Sequence, residues 1–180
     1  MTIHSSCAAI LLLTILNSCS DISESNDGKQ LIFNDFDHLN GWMNAPTPPS
    51  LTTDKAHSGN YSVVVQPGTE YGLGYSAPLN QLSPTRPSHI TLSAWVFVPG
   101  KDAQAVLVTD IKAPGAEKPL LWESINVAEA VTNYNEWQRI EKTIPIPAEA
   151  TALCTIQLYP WLSNSQQAVY FDDMAITLAD

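Results

Sequence analysis

Cys19 stands where an apolar run gives way to a polar, acidic stretch. Residues 8–16, AAILLLTIL, end in Asn17-Ser18-Cys19, and no hydrophobic periodicity follows before residue 30. A thiol at that boundary is the acyl acceptor of a bacterial lipoprotein signal. The run is roughly half the ~20 apolar residues that a membrane-spanning helix needs, so the spacing predicts a removed secretory segment over 1–18. Cys19 would then head the mature chain and carry the lipid, a covalent membrane anchor. An ordinary cleaved signal peptide is the competing reading, because residues 1–18 hold no Lys or Arg.

No other part of the chain shows a catalytic constellation. Glycoside hydrolysis needs two carboxyl groups about 5–9 Å apart across one bond. Asp172 and Asp173 are neighbours on an expected strand, so their side chains are expected on opposite faces. Asp35 with Asp37, or Glu123 with Glu141, could converge in space, but nothing in the sequence brings them to one bond. His38, His57 and His89 are isolated from one another, without the spacing of a zinc site. Gly72-Leu73-Gly74 lacks the rest of a dinucleotide fingerprint, and its glycines are expected to mark close packing or a bulge. Cys154, in an expected apolar strand, reads as a small buried hydrophobe. The chain is therefore not expected to be an enzyme.

Aromatic side chains offer a different chemistry. Their faces stack on the apolar faces of pyranose rings while nearby polar groups fix orientation. The chain holds five tryptophans and six tyrosines. Trp95 projects from the non-aliphatic face of its strand. Tyr159-Pro160-Trp161 is expected to end a strand at an edge or rim, since Pro160 removes a ladder donor. Trp122 is the fourth candidate. Trp42 and Trp137 are expected to pack.

These residues must be positioned by strands. The acidic balance, with a formal net charge of −10, repels phosphate backbones and argues against nucleic acid. After the signal, about 160 residues remain, enough for one domain. Residues 19–29 are expected to be a polar tether and 30–180 the domain. Expected strands are 31–36, 61–66, 71–76, 89–98, 104–111, 119–125, 137–144, 152–159 and 168–178, with one short helical turn over 126–131. The period of two is clearest over 89–98. There Ile90, Leu92, Ala94, Val96 and Val98 share one face and Thr91, Ser93, Trp95 and Phe97 the other. Residues 137–146 alternate in the same way, with Ile140, Ile144 and Ile146 on one side. Short strands, little helix and 13 prolines predict an all-β antiparallel β-sandwich of jelly-roll type.

Several segments together resemble a known group. Asn34-Asp-Phe-Asp-His-Leu-Asn-Gly-Trp42, Ala56-His-Ser-Gly-Asn-Tyr-Ser-Val63, Ser93-Ala-Trp-Val-Phe-Val-Pro-Gly100, Glu136-Trp-Gln-Arg-Ile140 and Tyr170-Phe-Asp-Asp-Met-Ala-Ile176 follow in the order of the strands. They resemble carbohydrate-binding modules with a galactose-binding-like jelly-roll fold. Asp35 and Asp37 lie two apart, on one face of the first strand or its exit, and in jelly rolls the two chain ends commonly run side by side, which would bring them near Asp172. The resemblance implies a structural Ca²⁺ there, with Asp37 and Asp172 as side-chain ligands and backbone carbonyls from the turn 55–58 completing the shell. Together with the lipoprotein signal and the surplus aromatics, the resemblance points to a non-catalytic, membrane-anchored glycan-binding lipoprotein of the cell envelope, partnered with a poly- or oligosaccharide. The alternative is an outer-membrane lipoprotein whose exposed aromatics dock other envelope proteins.

Overall fold

The structure, a computed structural model, describes residues 30–39 and 47–179. The expected signal, Cys19, the tether over 19–29 and Trp42 lie outside the described residues. Among the described residues, ten strands build two sheets, with β1 at Gln30–Asn34, β2 at Leu51–Thr52, β3 at Ser62–Val65, β4 at Tyr75–Pro78 and β5 at His89–Phe97. They continue with β6 at Ala105–Lys112, β7 at Leu121–Asn126, β8 at Trp137–Pro145, β9 at Thr155–Leu162 and β10 at Val169–Leu178. A six-stranded sheet runs β2-β3-β10-β5-β8, with β1 as its sixth strand paired to β10, and a four-stranded one runs β4-β9-β6-β7. Every pairing is antiparallel. Strand β10 takes β3 along its first half and β1 along its second, so the first and last described strands lie side by side.

Alternation decides what each strand buries. Ile90, Leu92, Ala94 and Val96 of β5 point inward, as do Ile140 and Ile144 of β8. Ile156, Leu158 and Leu162 of β9, with Leu107 and Ile111 of β6, meet them from the other sheet in one apolar core. Area removed from water in this way is the main favourable contribution to folding. A single turn of helix, α1 (Val127–Ala130), follows β7, with the Asn126 side chain accepting the Ala128 N–H as its cap. Among the described residues, no helix is long and apolar enough to cross a membrane.

Four expectations are corrected. The strand expected over 152–159 runs three residues later, because residues 151–154 form a turn, with Leu153 64% exposed. Cys154 is therefore buried at the end of a turn rather than in a strand. Tyr159, Pro160 and Trp161 fall inside β9 and not at its end. Pro160 is accommodated because its ring nitrogen faces the side where regular pairing with β4 has given way to the segment Glu70–Gly74; the Pro160 carbonyl on that side accepts the Gly72 N–H. The strand expected over 71–76 begins only at Tyr75. Gly72 and Gly74 instead press against β9, where a Cβ on Gly72 would lie 2.4 Å from the Pro160 ring and one on Gly74 2.6 Å from the Leu158 carbonyl oxygen.

The third correction concerns Asp172 and Asp173. Strand β10 carries a bulge between Asp172 and Ala175, with Asp173 at a φ of +46°. The two carboxylates therefore reach the same turn instead of opposite faces. Fourth, Asp35 and Asp37 do not share a strand face. β1 ends at Asn34, and Phe36 takes a φ of 59° and buries its ring. Asp35 then accepts the N–H groups of Asp37 and His38, while Asp37 turns away toward residues 60 and 61.

Candidate functional site

The outer face of the four-stranded sheet collects aromatic rings. Thr155, Gln157, Tyr159 and Trp161 project from β9 at every second position, opposite the buried set. Tyr71 lies across them, bridging to Trp161. Its ring is nearly parallel to the Trp161 ring, at 4° with centroids 5.9 Å apart, and 6.3 Å from that of Tyr159. Trp122 reaches the same face from β7, since it pairs with Asp110 of β6, which in turn pairs with Gln157. Burial pushes the Tyr159 phenol above its usual range, and a side-chain hydrogen bond with Trp122 opposes that shift. Tyr71 is 59% exposed and Trp122 48%.

Two depressions flank this ridge. One, of about 330 Å³, is lined by Tyr71, Gly74, Tyr75, Ser76, Gln157 and Tyr159. The other, of about 410 Å³, is lined by Pro67, Glu70, Trp161, Asn164 and Ser165 among others. Gln157 holds its amide on the Ser76 hydroxyl at 3.4 Å, so polar groups stand directly beside the rings. Ring faces with amide and hydroxyl groups at their margin suit a ligand that is apolar on one side and hydroxylated at its rim.

The outer face of the six-stranded sheet is built differently. Here the turn 54–61 lies over the strands. His57 stacks on Trp95 at 3.9 Å and 14°, and its edge meets Trp137 at 5.8 Å. The Lys55 ammonium sits 4.3 Å above the Phe97 ring. Beneath the turn, Asp172 is fully buried and accepts the N–H groups of His57 at 2.7 Å and Ser58 at 3.2 Å. Burial pushes its carboxyl up to about 6, against the hydrogen bonds that favour the charge. Asp173 accepts the Ser58 hydroxyl and lies 2.6 Å from Nδ1 of His57. On the far side of the turn, Asp37 accepts the N–H groups of Asn60 and Tyr61, and the Asn60 backbone bond leads in holding its carboxyl below the usual range. Gly59 permits this contact. Its φ is +56°, and a Cβ there would fall 1.9 Å from Oδ2 of Asp37.

The structure thus parts the four expected ligand residues. Trp122, Tyr159 and Trp161 come together, and Trp95 lies on the opposite sheet beneath His57. Trp137 packs, as expected, against Phe97 at 5.8 Å. Glu123 and Glu141 do not converge: Glu123 bonds Lys142 at 2.8 Å and Glu141 bonds Arg139 at 2.7 Å. Asp37 and Asp172 do flank one turn, but their oxygens meet N–H donors where Ca²⁺ would need six to eight oxygen ligands. Among the described residues, no group of three or more His, Cys, Asp or Glu side chains could hold a metal ion. With these N–H groups on them, the Asp37 and Asp172 carboxylates are already engaged by the turn. Tyr71, Gln157, Ser76 and Asp110 were missed from sequence. The period of two through Tyr159 and Trp161 pointed to Gln157, and a lone carboxylate in the apolar run 105–111 pointed to Asp110.

No family model and no curated protein sequence matches this chain. Solved structures do. The tandem of two family 22 carbohydrate-binding modules from Paenibacillus barcinonensis Xyn10C superposes with a TM-score of 0.61 at 18% identity, over 88% of this chain and 52% of that one. The family 22 module joined to a family 10 glycoside hydrolase module in Clostridium thermocellum endo-1,4-β-D-xylanase 10B, complexed with xylohexaose, gives 0.58 at 16% identity, over 84% of this chain and 29% of that one. A xylan-binding domain of family 22 gives 0.54 at 17%, over 85% and 97%. The fold is that of the β-sandwich carbohydrate-binding modules. This chain thus spans about half of the first of these neighbours and under a third of the second. At such identity the likeness carries the architecture and not the ligand.

Proposed function

We propose that the outer face of the four-stranded sheet binds a polysaccharide without acting on it. The observation that carries this reading is the gathering of Tyr71, Trp122, Tyr159 and Trp161 on one open face with Gln157 and Ser76 beside them. Tyr159 and Trp161 are two strand positions apart, roughly 7 Å, a span of one to two sugar units along an extended glycan. Xylan is the first glycan to try, because it is the ligand named for structural neighbours of the same fold. Affinity electrophoresis through gels containing xylan, mixed-linkage glucan or galactan is the test. Retardation that is lost in Trp161→Ala supports the reading; unretarded migration in every gel overturns it. The same rings would suit a protein partner, and elution of membrane-derived partners by free sugar separates the two.

The chain is further proposed to present this face from the outer membrane of a bacterial envelope, tethered by residues 20–29 behind an acylated Cys19. Cys19→Ala should move the protein from the detergent phase to the aqueous phase. Wild-type protein found wholly in the aqueous phase would refute the anchor.

A further inference from the structure

Asp110 lies at the middle of the aromatic face. Its strand, β6, is interior, between β9 and β7, and Asp110 stands directly opposite Gln157 on one side and Trp122 on the other. Its charge is also felt at the Tyr159 phenol. The residue is only 7% exposed, and its Oδ1 is buried without a hydrogen-bond partner. A buried acceptor left unpaired is costly, so such an atom calls for an explanation. Burial raises its carboxyl above the usual range, and the Lys112 charge on the same strand only partly opposes this. Two polar neighbours could have satisfied it and do not: Gln157 turns its amide to Ser76 instead, and Trp122 interacts with Tyr159.

We propose that Asp110 is a specificity-determining residue that makes this face select neutral glycans over uronate-bearing ones. The inference rests on the glycan-binding reading above. A neutral sugar brings hydroxyl donors, and a carboxylate accepts them strongly. A uronate instead brings a second negative charge near the first, since neighbours across a sheet face are about 5–8 Å apart. Asp110 itself is almost wholly buried, so its charge is screened less than one in open solvent would be. The formal net charge of −10 adds to it at longer range.

The test is calorimetric titration of the purified full-length chain with pairs of oligosaccharides that differ by one glucuronate or galacturonate, on xylose, glucose and galactose backbones. Wild type should bind the neutral member of a pair about fivefold to tenfold more tightly. Asp110→Asn should bring that ratio close to one without lowering the melting temperature, and Asp110→Ser gives a second variant if the first does not fold. An unchanged ratio in a folded variant, or wild-type preference for the uronate, overturns the proposal. If neutral sugars bind, Trp161→Ala weakens binding, and the ratio is already one in wild type, only the role of Asp110 fails. If no pair binds and Trp161→Ala matches wild type, the glycan reading fails and takes this inference with it.

Discussion

The two outer faces of the sandwich carry similar side chains to opposite ends. Over the six-stranded sheet, Trp95, Phe97, Trp137 and Tyr170 lie under or beside Lys55 and His57. Over the four-stranded sheet, no turn among the described residues covers Tyr71, Trp122, Tyr159 and Trp161 in this way. Polar groups divide in the same way. Asp37, Asp172 and Asp173 spend their oxygens on the turn 57–61, whereas Asp110 leaves one oxygen unpaired. An aromatic surplus therefore identifies a binding face only where no loop has already taken the rings.

The largest effect should come from removing the group that fastens the covering turn. Asp172→Ala leaves the N–H groups of His57 and Ser58 without their acceptor, and denaturant unfolding should show a loss of about 3 kcal/mol. A loss under about 1 kcal/mol would mean that the stacked rings alone hold the turn. The same residue ties stability to pH. Its folded carboxyl is pushed up to about 6 from an ordinary value of 3.8, so between these values the folded state keeps a proton that the unfolded chain releases. This contribution is present below about pH 4 and is lost as pH rises through 6, amounting to at most about 3 kcal/mol. Melting temperatures of wild type should therefore fall relative to Asp172→Asn between pH 4 and 7. Parallel curves would break the link.

Exchanging tryptophans sharpens the contrast directly. Trp95→Ala should cost about 2 kcal/mol of stability, near the low end for large-to-small replacements because the ring is only half-buried, and should leave glycan affinity unchanged. Trp161→Ala should do the reverse, lowering affinity about tenfold with little change in melting temperature. Equal loss of affinity in both variants would erase the distinction between the faces. The smallest effect is expected from chelation. With N–H donors on Asp37 and Asp172, excess EDTA should leave the melting curve unchanged, and a drop would return calcium to the turn.

Much of the architecture was legible in the sequence. The small aliphatic residues at alternate positions of 89–98 required a core on one side and something else on the other, and β5 follows that alternation except that Ser93 is buried as well. Strand β9 was less legible. Ala152-Leu153-Cys154 looks like a strand entrance, but Cys154 and Thr151 close a turn there, with the Thr151 N–H on Sγ at 3.3 Å. The bulge at Asp173 was hidden for another reason: a single inserted residue leaves no mark on composition and shows only when two strands are paired.

Local alternation and turn residues thus determined an all-β sandwich and the inward sets of β5 and β8. These depend on neighbours a few residues apart, which a sequence displays. Which aromatic face stays open was decided by contacts across more than a hundred residues, above all His57 with Asp172 and Asp173. The same sheet geometry placed Tyr71 beside Trp161, ninety positions further along the chain. A pattern of period two can say that a ring points away from the core. Only the packed structure can say what, if anything, lies above it.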